Sequence, residues 1–452
     1  MDIEETPDEM ADDRSMFLRI LRKAVDVRRP EVGALLLGFI YYFLILSSYY
    51  VIRPVRDDIG AANGMDNLPW MFTGTLITMF VANALFSSLV ARYSRRRFIA
   101  IAYRFFIFNL LAFFVLMKFS VGSQAWLGII FFAWTSVFNL FILSVFWTFM
   151  VDLFTSSQSK RLFGFISVGG SLGAIAGAAT TSFLVQKIGI LNLLLISAVL
   201  LEVSVWIARR FPVPTASSDV ETQRTQRNEK PIGGGIWDGI LHNLKSPYLL
   251  GIAGYMLLYS ITSTFLYFQQ VDIAAKAFTN RAARTAFFAQ IDLVVNILTI
   301  LAQIFLTGRL LKWLGVGLTL AILPTLSLIG FATLGAIPTM TAFVVFLTLR
   351  RAGNFAFARP GRETLFTVLS REDKYKAKNF TDTVMYRSGD QAGAWLTKFM
   401  SALGMSGIAF VGVPLCAAWL AVSIWLGKKQ SQKTAENSLE AQATPQLSVT
   451  TT

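Results

Sequence analysis

The chain has 452 residues, of which 54% are hydrophobic, 13% aromatic and only 15% charged. Soluble domains run nearer one-quarter charged, so a water-soluble enzyme of this length is excluded. A single cysteine, Cys416, and a single histidine, His242, exclude a disulfide framework, a thiolate zinc site and a His-rich metal centre. The 41 Lys and Arg against 27 Asp and Glu give a net charge of +14, which we read as basic loops facing the cytoplasm rather than as a nucleic-acid surface.

Residues 1–30 form an N-terminal tail, acidic at first (Asp2, Glu4, Glu5, Asp8, Glu9) and then basic (Arg19, Arg22, Lys23, Arg28, Arg29). It lacks the pattern of a signal peptide. The first apolar run predicts a helix over 32–52, ended by Pro54. Eleven more runs follow at 68–90, 98–118, 124–151, 162–186, 190–208, 247–268, 285–307, 316–336, 339–358, 380–403 and 406–427. Twelve membrane spans of about 20 residues use about 240 residues, which fits the length. The segment 209–246, rich in Arg, Ser, Thr, Glu and Gly, predicts a solvated linker. It separates a six-helix half (31–208) from a second (247–427). Residues 428–452, basic and then Ser/Thr/Gln-rich, predict a disordered cytoplasmic tail.

The fold class expected is therefore an all-α membrane protein with twelve transmembrane helices in two six-helix halves. One side of the membrane holds Arg92, Arg95, Arg96, Arg97, Lys160, Arg161, Arg209, Arg210, Arg309, Lys312, the 359–378 loop, Lys428 and Lys429. The other holds Lys118, Lys187 and two mixed-charge stretches, 53–66 and 269–284. The basic side is cytoplasmic by the positive-inside rule, with both termini inside and the protein in a bacterial inner membrane. Six plus six around a cytoplasmic linker is the layout of the major facilitator fold, in which two halves rock about a midplane site. Residues 87–97 (SSLVARYSRRR) resemble that superfamily's loop pattern G-x-L-x-D-R-x-G-R-R, with Ser87, Ala91 and Ser94 replacing Gly, Asp and Gly. Residues 308–315 (GRLLKWLG) echo it at the equivalent place in the second half.

Charged groups inside a membrane are costly and mark pathways by default. At the end of helix 1, Arg53, Arg56, Asp57 and Asp58 cluster; guanidinium forks suit phosphate or carboxylate, and the competing reading is an interfacial snorkelling cluster. Helix 4 ends with Trp147 and Asp152, the latter either a gate partner for a basic residue or an interfacial group. Arg104 (helix 3), Glu202 (helix 6), Asp292 (helix 8) and Lys398 (helix 11) are intramembrane charges. Asp292, Asn296 and Gln303 recur at near-helical spacing, so this stripe faces protein or a cavity, and Asp292 is a candidate for proton coupling. The densest polar region runs from Arg350 and Arg351 through Glu363 to Asp382, Arg387, Asp390 and Gln391. These residues either line a pathway or pair with one another. Gly173 and Gly177 on helix 5 form a GxxxG face for close helix packing.

Taken in order and spacing, residues 35–425 resemble the ATP/ADP translocases, the nucleotide-exchange carriers of plastids and intracellular bacteria, and especially their free-living bacterial relatives. Residues 51–57 (VIRPVRD) are similar to that family's helix 1 pattern Ile-Leu-Arg-Asp-Thr-Lys-Asp. Phe146-Trp147 through Phe163-Gly164, Arg359-Pro360 with Glu363, and Phe380-Thr381-Asp382 through Gly393-Ala394 look like its middle and late segments. The resemblance implies that Arg56 stands where the family has a substrate-binding lysine. Pro54 replaces an Asp, Tyr267 falls near the family's helix 7 glutamate, no acidic residue between Phe131 and Met150 matches its helix 4 glutamate, and Gly389-Asp390 replaces a Gly-Lys pair.

The reading is a secondary active transporter, not an enzyme, working by alternating access on a small anionic solute. A nucleotide such as ATP or ADP comes first, handled in antiport. No G-x-x-x-x-G-K-[ST] pattern is present, and no cofactor or metal is expected. The protein is expected to contact membrane lipids, to act as a monomer and to bind no nucleic acid. Two alternatives stand beside this: a proton-coupled transporter of a non-nucleotide solute using Asp292, Asp382 or Asp390, and a non-transporting membrane receptor or scaffold.

Overall fold

The computed structural model describes residues 27–90, 95–119, 124–211, 246–369, 378 and 380–443. Most of the N-terminal tail, Arg92 and Ser94 of the first loop motif, most of the central linker with His242, Lys374 and Lys376, and the last nine residues lie outside the described residues.

Kinks at Gly64 (φ 75°) and Gly315 (φ 71°) each separate two helical arms, at a backbone conformation that glycine alone adopts without strain. With these breaks the described residues form twelve arms: α1 (32–63), α2 (65–90), α3 (Arg95–Phe119), α4 (Gln124–Leu153), α5 (Ser156–Ile188), α6 (Asn192–Arg209), α7 (Pro247–Ala277), α8 (Arg281–Ala302, continuing to 314), α9 (316–336), α10 (Met340–Gly353, continuing to Leu365), α11 (380–399) and α12 (Gly404–Ala443). Among the described residues nine helices are long and apolar enough to cross a membrane, the first containing both arms of the Gly64 kink. A π turn interrupts α10 at Asn354–Ala358, another opens α11 at Phe380–Met385, and α8 carries a third at Gln303–Thr307.

The helices are longer than expected at several ends. Pro54 does not end α1, and the mixed-charge stretches 53–66 and 269–284 are largely helical. Inside a bilayer an unwound backbone has no water to bond, so the helix persists wherever its side chains find partners. Pro324 and Pro414 likewise sit inside helices. The last helix runs past Gly427 to Ala443 instead of giving way to a disordered tail; Gln430 and Thr434 bond at i, i+4, and the Lys433 ammonium lies 5.7 Å from the Tyr248 ring.

The described chain divides into two compact units: residues to Val55 with 79–211, and Arg56–Thr78 with the residues from Ser246 on. In the first, α5 lies directly on α1. A methyl group added at Gly169, Gly173 or Gly177 would collide with the carbonyls of Phe39, Phe43 and Ser47, four residues apart on both sides. The expected GxxxG face is thus a three-glycine seam. Ser47 Oγ donates to Gly173 O (3.0 Å) and Thr181 Oγ1 to Val51 O (2.8 Å) across it. Tyr41 and Tyr103 share a buried hydroxyl bond of 3.0 Å, and Tyr103 passes it to Ile142 O.

The second unit repeats the device. Gly389 and Gly393 of α11 press on α7, where a methyl would meet Ser260, Thr264 and the carbonyls of Leu257 and Ile261. α9 and α12 touch at Gly317 and Gly427. A core of Tyr248, Ile252, Tyr255, Leu320, Leu323 and Trp419 fills the space beside them. The C-terminal part of α1 is pinned here by Asp58, fully buried, whose carboxylate accepts from Arg284 Nε (2.6 Å) and Arg281 Nε (3.0 Å). Removing a partner from a buried pair leaves an uncompensated charge, which costs about 3–5 kcal/mol; half-exposed Arg281 adds little to this. Asp58→Asn should therefore lower the thermal stability by about that amount in detergent or nanodiscs, and an unchanged melting temperature would refute the clamp.

Glu31, in the short turn ahead of α1, ties that end of the first unit to α5. Burial pushes its carboxyl up, but hydrogen bonds from Arg28 N–H (2.9 Å), Gln158 Nε2 (3.0 Å) and Arg161 Nη2 (2.9 Å), with the Arg161 charge, outweigh it and hold the group below the usual carboxylate range. A depressed carboxylate contributes stability that is present above its unfolded pKa of about 4.3 and is lost as pH falls through its folded value. The difference in melting temperature between the wild type and Glu31→Gln should accordingly be largest near neutral pH and shrink on acidification; a difference that grows toward acid pH would exclude this role.

Candidate functional site

The site grows from the α7–α11 contact. Because Gly389 has no side chain, α11 sits close enough for its neighbour Asp390 to reach α7. There its carboxylate accepts from Ser260 Oγ (2.6 Å) and Thr264 Oγ1 (3.4 Å). One turn earlier, Arg387 Nη1 lies 3.3 Å from the other Asp390 oxygen. From the opposite wall, the C-terminal part of α1 supplies Arg56, whose Nη1 is 3.1 Å from Asp57 Oδ1. Asp57 is buried and also accepts from Tyr267 O–H (2.9 Å), and the Arg56 guanidinium stands 6.0 Å from the Tyr267 ring centre. Residues of α2 complete the wall, with Thr73 Oγ1 bonded to Gln391 Oε1 (3.0 Å).

Between them lies a small recess lined by Arg56, Phe72, Thr75, Leu76, Arg387, Asp390 and Gln391. All seven belong to the second unit. Two guanidiniums, two carboxylates at their flanks, a hydroxyl, an amide and an aromatic face converge there. Such a group can bind and orient a small anion, but it offers no nucleophile with an attendant base.

Of the candidate residues, the structure brings together Arg56, Asp57, Arg387, Asp390 and Gln391. Arg53 lies in the first unit with its guanidinium 5.4 Å from the Tyr50 ring. Arg104 is not in the recess: half-exposed, it pairs with Glu202 at 2.8 Å, because its long stem reaches sideways to α6. Trp147 packs edgewise on Tyr42 and Phe146 and tilted on Phe163, and Asp152 is partly buried at the end of α4.

The remaining candidates fasten helices to one another. Arg350 is buried, and among the described residues its hydrogen bonds go to uncharged oxygens: Ser327 Oγ (2.9 Å), Ser263 Oγ (2.8 Å), Thr262 Oγ1 (2.7 Å) and Tyr259 O (3.3 Å). It joins α7, α9 and α10 and does not pair with Asp382, Arg387 or Asp390. Asp292 is buried and bonded to Arg351 Nη2 at 2.6 Å, while Asn296 donates to the Asp292 carbonyl. The expected polar stripe on α8 thus faces α10. Near it the π turns of α8 and α10 are bonded together, Thr307 Oγ1 to Ala356 O (2.8 Å) and Gln303 Nε2 to Phe355 O (3.2 Å). Glu363 forms an exposed pair with Lys378, and Asp382 pairs with Arg362 at 3.1 Å.

Phe72, Thr75, Ser260 and Thr264 were not legible as site residues, being short or apolar groups in apolar helices. Arg281 and Arg284 were hidden in a stretch read as a loop. Their i, i+3 spacing behind Asn280, which caps α8 by accepting from Ala282 and Ala283 N–H, is the signal that could have placed them on one helical face.

Residues 34–374 match the sequence model of the Major Facilitator Superfamily. A curated relative, ADP,ATP carrier protein 2 of Chlamydia pneumoniae, is 21% identical over 373 residues, covering 71% of this chain and 69% of that protein. Solved structures with the same fold include the nucleoside transporter NupG (TM-score 0.58, 13% identity, 88% of this chain and 99% of that one). A D-xylose–proton symporter is similar at TM-score 0.58 and 13% identity, covering 88% of this chain and 96% of the other. A POT family transporter in complex with 5-aminolevulinic acid reaches 0.60 at 10% identity, over 89% and 96%. With well over half of the sequence matched and the helices in this arrangement, the chain belongs to the major facilitator superfamily.

Proposed function

We propose that this protein is a secondary active transporter that moves a small organic anion by alternating access, with a nucleotide or another phosphorylated metabolite as the leading cargo. The observation that carries this reading is the convergence of Arg56 and Arg387 on one recess, each held by a neighbouring carboxylate. A guanidinium presents a planar fork of donors matched to phosphate or carboxylate. Asp57 and Asp390 orient these forks and offset their charge, and both carboxylates are themselves steadied by hydroxyls from α7. An arriving anion competes with the carboxylates for the guanidiniums. That competition keeps binding reversible, which a carrier requires.

The recess is far smaller than a pocket that encloses a drug-sized ligand, so it suits the anionic end of a larger solute. Phe72 and Tyr267 stand 5.6 Å apart beside it and offer ring faces for a base or other flat group. The similarity to an ADP,ATP carrier supports a nucleotide as cargo. The distribution of arginines supports a bacterial inner membrane as its location, with the basic loops in the cytoplasm.

A second reading, coupling to protons, is favoured by the placement of buried Asp390 in the same recess. Protonation there would release Arg387 to the cargo.

Counterflow in proteoliposomes tests both. Vesicles loaded with ADP should take up labelled ATP or ADP saturably. Arg56→Gln should raise KM by about tenfold to a hundredfold, the loss of a charged hydrogen bond worth about 1.5–3 kcal/mol. Equal transport by the folded variant would remove Arg56 from the site. Uptake driven by a pH gradient and lost in Asp390→Asn would favour the proton-coupled reading, and exchange insensitive to that gradient would exclude it.

A further inference from the structure

The first unit carries a feature that transport through the recess does not use. On α3, Ile101, Arg104, Phe105 and Phe108 follow i, i+3, i+4, i+7 spacing; on α6, Val199, Glu202, Val203 and Trp206 do the same. Seven of them are exposed, and Glu202 is partly so. In the centre of this otherwise apolar face, Arg104 Nη2 meets Glu202 Oε1 at 2.8 Å and Nε approaches Oε2 at 3.4 Å, with the two side chains 50% and 46% exposed.

The depth of the pair makes lipid a poor cover. At 1.5 Å per residue, Arg104 lies about 14 Å along α3 from Arg95, and Glu202 about 10 Å before the end of α6 at Arg209. Both distances fall well inside a hydrocarbon layer about 30 Å thick. An arginine on a lipid-facing stripe would extend toward the headgroups. This one instead reaches sideways to a carboxylate that has no stem long enough to leave the hydrocarbon.

We infer that the α3–α6 face binds a second copy of this chain, with the Arg104–Glu202 pair at the centre of a two-fold interface. The charge pattern is self-complementary. A two-fold axis along the membrane normal keeps every atom at its own depth, and it sets residue i of one copy against residue j of the other and j against i. Arg104 of each copy then faces Glu202 of its neighbour, and four charges close into an alternating square that the surrounding apolar residues shield from lipid. An external partner would have to supply both a cation and an anion at this depth; a second copy brings them by symmetry.

The swapped variant R104E/E202R separates this from a pair that serves only its own chain. It preserves the pair within each copy and the self-complementarity between like copies. Against wild type, however, it sets arginine on arginine and glutamate on glutamate. Full-length wild-type and swapped proteins carrying two different tags are reconstituted together in phosphatidylethanolamine/phosphatidylglycerol vesicles, and dimers are counted by photobleaching and co-purification. The expected result is dimers of each protein with itself and mixed pairs at least about fivefold below random mixing, as like-charge juxtaposition suppresses wrong partners. Random mixing, or wild-type protein that stays single on concentration in the bilayer, overturns the inference. Should the swap fail to fold, the neutral variant R104Q/E202Q carries the test. Its dimer should dissociate at least about tenfold more readily than the wild type, and an unchanged dimer overturns the proposal.

Discussion

Where α7 and α11 touch, Gly389 and Gly393 bring the α11 backbone onto Leu257, Ser260, Ile261 and Thr264 with nothing larger than a hydrogen atom between. That approach decides where Asp390 ends up, because only at this separation can its short side chain bond Ser260. Asp390 in turn sets Arg387, and Arg387 forms one wall of the recess. The first unit uses the same contact between α1 and α5, through Gly169, Gly173 and Gly177. In a bilayer, helices gain little from hiding apolar surface, since lipid is equally apolar; close packing and buried hydrogen bonds hold them together instead. The glycine seams supply the first, and the hydroxyl bonds across them, such as Ser47 to Gly173 and Thr181 to Val51, supply the second.

Charge placement follows from the same absence of water. Each buried ionic group that the recess does not use is fastened to a partner: Asp58 to Arg281 and Arg284, Asp292 to Arg351, and Arg350 to three hydroxyls and a carbonyl. These bonds join α1 to α8, α8 to α10, and α10 to α7 and α9. They build the frame on which the recess is mounted. The π turns of α8 and α10 belong to that frame, since Thr307 and Gln303 bond carbonyls in the irregular turn of α10. Within the recess the arrangement differs, because each arginine is offset by a carboxylate that also answers to a hydroxyl. In the proposed carrier an anionic cargo would compete for such a contact, whereas displacing the Asp58 clamp would leave two arginines without their carboxylate.

Among the described residues, the sequence by itself determined the twelve helical arms, their order and most of their boundaries, because each depends on a local run of apolar residues long enough to span a bilayer. Composition pointed to a multi-pass membrane protein, and the glycine spacing at 173 and 177 announced a helix contact. It also picked out Arg56, Asp57, Arg387 and Asp390, since charges in apolar helices stand out at once. Tertiary structure alone decided which of those charges share a site. Arg56 and Arg387 are separated by most of the chain, and no period or spacing relates them. Arg104, Asp292 and Arg350 look equally eligible in the sequence, yet one lies on an exposed face and two are fastened inside the frame. The distinction is one of direction around a helix and of what stands opposite, which a linear pattern does not carry. The same reason hid Phe72, Thr75 and Ser260, whose chemistry is ordinary until α2 and α7 bring them to two arginines and an aspartate.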